Sequence, residues 1–243
     1  MEMLLITTAA ALWGCATGML VPRPAYRLSV PPEELWRPAC PAGHPLVGIG
    51  NGWLGRARCA TGDTYGPSTF SVASITAVVC ALLAFATGAR SELVVWLLLV
   101  PAAVLLATVD LAVHRLPDVL TLPLAAAVLV LLGVVAMLPG AGGSWTGALL
   151  GSLTSGTCHF VLFLISKGFG FGDVKLTLAL GAVLGWYGWA FVVIGTFAGY
   201  LLGALYGIVQ ILAGRGGPAS RIPFGPFLFT GTLAGVLLGF YTS

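Results

Sequence analysis

Long apolar runs, each about as long as a membrane is thick, recur along nearly the whole chain. A helix needs about 20 predominantly apolar residues to cross the hydrocarbon core of a bilayer. A soluble fold with a single core has no use for so many uninterrupted runs, and charged residues make up only 8% of the chain, against about 25% in soluble domains. The runs therefore predict an all-α integral membrane protein, a polytopic helical bundle.

We predict eight membrane spans: residues 3–20, 70–88, 92–109, 120–138, 145–166, 174–188, 189–213 and 225–241. The sixth and seventh are separated only by a tight turn at 186–189, whose aromatic residues are typical of a membrane interface. The first span is interpreted as a membrane helix, because residues 1–3 lack the positive charge of a signal peptide and no convincing cleavage site follows.

Positive charges fall mainly on one set of alternate loops. That set carries Arg23, Arg27, Arg37, Arg56, Arg58, Arg115, Lys167, Lys175, Arg215 and Arg221. The opposite set carries only Arg90. The positive-inside rule makes the basic side cytoplasmic, so the net charge of +3 reflects membrane topology and gives no reason to expect nucleic acid.

Residues 21–69, rich in Pro, Gly and Arg, are the only stretch long enough for a small extramembrane element. We therefore divide the chain into two parts. Residues 1–69 comprise the first membrane helix and a cytoplasmic loop, and residues 70–243 form the membrane domain proper.

Three of the eight acidic residues, Asp110, Asp118 and Asp173, abut or interrupt apolar sequence. Ionisable groups at membrane depth are costly, so each indicates a functional site by default. Asp110 closes the apolar run 100–109. The alternative is a carboxylate that extends to the interface or pairs with Arg115.

Asp173 follows alternating glycines at 168, 170 and 172. Such glycines disfavour a stable helical turn and allow unusual backbone angles or close approach of another chain. Non-helical backbone at membrane depth survives only where protein or a water-filled cavity surrounds it, so an acid there can meet both water and a peptide. A dinucleotide-binding loop is excluded because it requires a preceding strand.

Two such acids suit peptide hydrolysis. Cleavage needs a base to activate water and an acid to protonate the departing nitrogen. Two carboxyl groups about 3 Å apart share one proton and supply both functions at once. No metal or other cofactor is needed, and His114 and His159 are interpreted as isolated polar packing residues.

Three segments, in order, resemble the signatures of type IV prepilin peptidases. They are Asp110–Leu111 with Leu116–Leu124, the GxGD segment Gly170–Leu176, and Ile222–Leu228. GxGD alone is short, and presenilin-like proteases share it. The three together are specific, and the resemblance covers residues 75–241.

The resemblance implies a GxGD aspartyl protease fold in the bacterial inner membrane, with its active site toward the cytoplasm. It implies removal of the short basic leader of prepilins or pseudopilins, after a glycine, in service of type IV pili or protein secretion. By that resemblance Asp110 and Asp173 are catalytic, with Gly170 and Gly172 in support. Asp118 has a structural or substrate-orienting role at a helix start.

Lys175 is left with three interpretations: local charge balance, binding of a carbonyl group, or a membrane-edge lysine without special function. The sequence does not choose between them.

The chain departs from bifunctional members of that family, which carry two Cys-x-x-Cys pairs and an N-methyltransferase activity. Here Gly43 and Gly62 replace the second cysteine after Cys40 and Cys59, so a Cys₄ zinc site cannot form. His44 and Asp63, one residue further on, could complete a Cys₂HisAsp site. We favour a metal-free remnant, and methyl transfer is doubtful.

Two other functions use the same residues. A proton-coupled transporter could employ the intramembrane acids as a relay, but such transporters often show matching broken helices in two halves, and only one glycine-broken site is found. A noncatalytic scaffold for a pilus or secretion assembly is the third possibility, which the two acids in their motif contexts disfavour.

Overall fold

The structure is a computed structural model that describes residues 1–31, 33–59, 61–166, 170–215 and 222–240. Ten helices lie within these ranges, and the described residues contain no strand. The helices are α1 Glu2–Gly18, α2 Pro22–Leu28, α3 Ile49–Gly52, α4 Thr69–Thr87, α5 Leu93–Val113, α6 Asp118–Val135, α7 Trp145–Ile165, α8 Phe171–Tyr187, α9 Trp189–Leu212 and α10 Gly225–Gly239. The predicted all-helical membrane class is confirmed.

A helix of at least 15 residues lies at each of the eight predicted spans, but the count of eight crossings is not confirmed. Within the described ranges, five helices are long and apolar enough to cross a membrane: α4, α5, α6, α7 and α9. A sixth span results if α1 and α2, which meet at a 43° bend, are taken together. Helices α8 and α10, with 17 and 15 residues, fall short of the usual crossing length.

The chain forms two compact units. The first comprises Met1–Ala89 and Trp96–Val113, and the second comprises Arg90–Val95 and His114–Ser243. These units are defined by which residues pack together. The predicted division into residues 1–69 and 70–243 concerns function instead, and it stays a prediction.

In the first unit, α1 packs closely along α4 because two glycines of α1 lie at the contact. A methyl group at Gly14 would lie 2.6 Å from the carbonyl oxygen of Thr76, and one at Gly18 would lie 2.8 Å from the Cα of Ala73. Small residues of this kind let membrane helices approach each other. The polar segment between these helices contains the short helices α2 and α3 and two isolated bridges, Ala39 to Pro45 and Arg58 to Thr64.

In the second unit, α8 is the interior helix and packs against α6, α7, α9 and α10. Residues 179–186 are all buried. Gly181 faces Gly151 of α7, and a methyl group on either would lie 2.4 Å from the other's carbonyl oxygen. The core of this unit is therefore built on direct backbone contact between α7 and α8.

The tight turn predicted at 186–189 is confirmed: α8 ends at Tyr187, α9 begins at Trp189, and Gly188 between them has φ +122°. The prediction of an interfacial aromatic is wrong for Trp186, which is 1% exposed. Because α8 is an interior helix, this side chain packs on protein, where it abuts Gly143. Trp189, on α9, is 53% exposed.

Candidate active site

Asp110 lies in the last turn of α5, in the first unit, at the end of an apolar stretch. Asp110 is only 4% exposed, and its neighbours Leu106 and Val109 on the same helix are fully buried. The helix ends three residues later, where His114 adopts the left-handed conformation with φ +51°. This position withdraws the carboxyl group from bulk solvent. A charged carboxylate that is buried in this way is costly unless hydrogen bonds or an opposite charge compensate it.

Asp173 lies in the first turn of α8, in the second unit, three residues after the N-cap Gly170. Its Oδ2 atom accepts a hydrogen bond of 3.1 Å from the Gly170 N–H. The first N–H groups of a helix have no partner within the helix, and its N-terminus carries partial positive charge. Both effects stabilise a carboxylate here, and the hydrogen bond fixes its position.

The predicted departure from helix geometry is wrong at Gly172, which lies inside the first turn of α8. Gly170 precedes the helix in an ordinary extended conformation, with φ −85°, and Gly168 lies outside the described residues. The predicted close approach is present, because a methyl group at Gly172 would lie 3.0 Å from the Leu116 side chain. The helix begins three residues earlier than predicted because Gly170 and Asp173 form its cap.

Asp118 and Lys175 are brought together in the second unit, with 2.7 Å between Oδ2 and Nζ. Asp118 is the first residue of α6, after Pro117, as predicted. Its carboxylate does not cap that helix but meets the lysine, whose Nζ also lies 4.6 Å from the centre of the Phe171 ring. Local charge balance, one of three interpretations of Lys175, is thus present in the structure.

A polar pair that sequence reasoning missed, a buried histidine with a half-buried tyrosine, lies in the second unit. His159 is 3% exposed. Its Nδ1 lies 2.8 Å from the Ser155 carbonyl oxygen and its Nε2 lies 2.7 Å from the Tyr200 hydroxyl. Nδ1–H therefore donates to the carbonyl, and Nε2 accepts from the hydroxyl. No sequence signal joins α7 to α9 at these positions.

Tyr200 also connects this pair with two of the family-like segments. The Tyr200 hydroxyl is near enough to the Asp173 carboxylate for a Coulomb interaction between the two groups. Its ring lies 5.5 Å from that of Phe224, at the start of the third segment. Tyr200 is therefore a positioning candidate near the GxGD end of α8.

Three of the four weak metal-ligand candidates converge in the loop of the first unit. The ligand atoms of Cys40, His44 and Cys59 all lie within 4.8 Å of one another. Asp63 instead accepts a hydrogen bond of 2.9 Å from the Thr61 hydroxyl. Hydrogen bonding, chiefly from Cys40 and then from Thr61, lowers the pKa of the Cys59 thiol to about 6.

Comparison with known proteins gives a consistent result. Residues 97–208 match the type IV leader peptidase family. The chain is 33% identical to a prepilin leader peptidase/N-methyltransferase of Aeromonas hydrophila, over 86% of this chain and 72% of the relative. It is 34% identical to a protein of the same name in Aeromonas salmonicida (strain A449), over 84% and 70%. No solved structure matches.

The relatives' names include N-methyltransferase, so the comparisons do not support the expectation that this activity is doubtful. The matched residues 97–208 include Asp110, Asp118 and Asp173. Because similarity above 30% extends over most of the chain and over more than two thirds of these relatives, the protein belongs to the type IV leader peptidase family.

Proposed function

We propose that this multi-pass membrane peptidase is an aspartic endopeptidase in which Asp110 and Asp173 form the catalytic pair. One carboxylate activates water while the other, protonated, donates to the carbonyl oxygen or the departing nitrogen of the peptide. The observation that carries the proposal is the position of Asp173. An acid in an apolar, glycine-flanked segment is held at a helix N-terminus by the Gly170 N–H.

The burial of Asp110 supports the same chemistry. Two neighbouring carboxyl groups that are shielded from water do not both ionise, so such a pair shares one proton. Two carboxyl groups that share a proton titrate as one system, with neither pKa belonging to a single residue. The pairing of Asp110 with Asp173 is part of the proposal.

The substrate class is prepilins, because the relatives are named prepilin leader peptidases, or the similar pseudopilins. Such a substrate has a short basic leader, a glycine and then an apolar helix. We place the cut after that glycine at the cytoplasmic face, because the basic loops indicate that both Asp110 and Asp173 lie on that side.

The ion pair of Asp118 with Lys175 is a supporting element. It links the first residue of α6 to the fifth residue of α8, two residues after Asp173. We propose that it orients this end of α8, with Gly172 allowing the close contact to Leu116.

The decisive experiment is a cleavage assay with candidate prepilins co-expressed in a host that lacks its own prepilin peptidase. Leader loss is followed by gel shift and by mass spectrometry. Asp110→Asn and Asp173→Asn should each abolish cleavage while the protein stays folded in the membrane. Glu34→Gln, which removes an exposed loop carboxylate, is the matched control and should cleave normally.

The same spectra separate the two activities named for the relatives. A processed substrate that carries an additional methyl group shows that methyl transfer accompanies cleavage. Full cleavage by either Asp→Asn variant would refute the assignment of the pair. If no candidate is cut, but proteoliposomes show a proton flux that both variants abolish, the transporter hypothesis replaces the peptidase mechanism.

A further inference from the structure

His159 and Tyr200 form a hydrogen-bonded pair whose direction is fixed by the backbone of α7. The His159 Nδ1 atom lies 2.8 Å from the Ser155 carbonyl oxygen, which can only accept, so Nδ1 carries the ring proton. The histidine is 3% exposed, and burial disfavours the charged ring, so its Nε2 atom is an acceptor. The Tyr200 hydroxyl, 2.7 Å away, therefore donates its proton to His159.

This bond decides what the Tyr200 hydroxyl can offer to other groups. A phenol has one proton to donate and lone pairs that accept. Because the proton of Tyr200 is directed at His159, its oxygen presents lone pairs to its remaining neighbours. The rings of Tyr200 and His159 also stack, with centroids 5.6 Å apart, and the Tyr200 ring lies 5.5 Å from that of Phe224. These ring contacts limit reorientation of the phenol.

The first turn of α8 packs on the part of α7 that carries this histidine. The Phe171 ring lies 6.5 Å from that of Phe160, which directly follows His159 in the chain. Phe171 is two residues before Asp173. The Asp173 carboxylate is in turn near enough to the Tyr200 hydroxyl for a Coulomb interaction. The imidazole, the phenol and the carboxyl group therefore belong to one polar site within the second unit.

We propose that His159 and Tyr200 are positioning residues of the peptidase site and that they act through Asp173. Because His159 holds the hydroxyl proton, the Tyr200 oxygen can pair with a protonated Asp173 but repels its carboxylate. The His159–Tyr200 pair thus favours the form of the catalytic site that keeps its one shared proton. This inference rests on the proposed role of Asp173 in catalysis.

Two opposed influences then act on Asp173. The Gly170 N–H and the N-terminus of α8 favour the carboxylate, whereas the Tyr200 oxygen favours the neutral acid. The Gly170 N–H bonds to Oδ2, so a proton on Oδ1 leaves that bond intact. General acid–base catalysis is most efficient when neither protonation state is strongly preferred at the working pH. Tyr200 therefore offsets the effect of the helix terminus.

Other titratable groups on the helices that pack on α8 stay constant in the test. Besides Asp110, the proposed partner, they are Asp118 on α6, Cys158 and His159 on α7, Lys175 and Tyr187 on α8, and Tyr200 and Tyr206 on α9, with His114 and Arg115 in the segment that leads to α6. Helix α10 carries none. Lys175 is paired with Asp118 at 2.7 Å. Only His159, Tyr200 and one control tyrosine are changed below, so a shift in pH dependence reports on the pair.

The test is the pH dependence of kcat/KM for leader removal from a candidate prepilin by the full-length protein in detergent. Each profile is normalised to its own maximum, so a lower folded fraction does not move its limbs. Tyr200→Phe removes the acceptor, so the shared proton is lost more readily and the alkaline limb should move to lower pH by roughly 0.5–1 unit. His159→Phe frees the hydroxyl proton for donation to the Asp173 carboxylate, so the limb should move at least as far. Either variant carries the test if the other does not accumulate in the membrane.

Three further variants separate this role from simple packing. His159→Gln keeps an acceptor for the Tyr200 hydroxyl and should retain the wild-type alkaline limb. Tyr206→Phe removes a hydroxyl from the same helix and should also leave the limb unchanged. In the Tyr200→Phe background, His159→Phe should cause no additional shift, because the histidine acts only through the hydroxyl.

An alkaline limb that stays at the wild-type pH in both Tyr200→Phe and His159→Phe would overturn the inference and leave the pair a purely structural one. An additional shift caused by His159→Phe in the Tyr200→Phe background would also overturn it. Asp173→Asn distinguishes this failure from failure of the proposed function. If Asp173→Asn is inactive and the limbs do not move, only the role of the pair is refuted; if Asp173→Asn still cleaves, the role of Asp173 itself is refuted.

Discussion

Replacing Gly181 by alanine tests the backbone contact on which the second unit is built. The added methyl group would lie 2.4 Å from the carbonyl oxygen of Gly151 and 2.5 Å from the Ser155 hydroxyl. Ordinary contact begins at 3.4 Å, so α7 and α8 must separate by about 1 Å. Rotation of a side chain cannot relieve this, because the nearest atom belongs to the backbone.

The cost follows from that displacement. Overpacking of a close-packed contact destabilises a protein by about 1–3 kcal/mol. The activity should fall further, because α8 carries Asp173 eight residues before Gly181, about 12 Å along the helix. A misplacement of about 1 Å costs up to roughly 100-fold in rate when catalytic geometry is strict. We therefore expect a partial loss of stability and a larger loss of cleavage.

The assay measures the unfolding midpoint in detergent and the rate of leader removal for the same preparations. Thr154→Val is the control: it places a methyl group on an exposed face of α7 and should change neither quantity. If Gly181→Ala has the midpoint and rate of that control, the helices are not held by this contact. The reasoning from the structure would then be refuted.

Two further predictions concern polar pairs of the second unit. Asp118→Asn should lower stability by less than about 1 kcal/mol, because the Asp118 side chain is 64% exposed and its pairing with Lys175 is screened by solvent; a larger drop in the unfolding midpoint would contradict this. Tyr200→Phe leaves the buried Nε2 of His159 without its donor and should cost about 1–3 kcal/mol. The control Tyr206→Phe, on the exposed face of the same helix, should lower the unfolding midpoint less. If both variants lower the midpoint equally, His159 does not need the Tyr200 hydroxyl.

Features that depend on neighbouring residues were predicted correctly. The run lengths placed a helix at each predicted span, Pro117 indicated the start of α6, and Gly188 lies at the predicted turn. Hydrophobic length, proline and glycine act within a few residues of themselves, so a single sequence carries them. The start of α8 is the exception: it was misplaced because the Gly170 N–H donates to the Asp173 carboxylate and so caps the helix three residues earlier than predicted.

Features that depend on distant residues were missed. Nothing in the sequence pairs His159 with Tyr200, which is 41 residues away, or shows that Trp186 is buried. His44 and Asp63 were equal candidates as metal ligands, and only the fold of the loop separates them.

The sequence by itself determined that this protein is a helical membrane protein with acids in three motif contexts, because bilayer thickness and the cost of buried charge act on composition and order alone. The tertiary structure decided which partners those groups meet. It gave Asp173 the Gly170 N–H, Asp118 the Lys175 ammonium group, and the two loop cysteines a histidine. The physical reason is that hydrogen bonds and ligand geometry require contact within a few ångströms, and separation along the chain does not specify that contact.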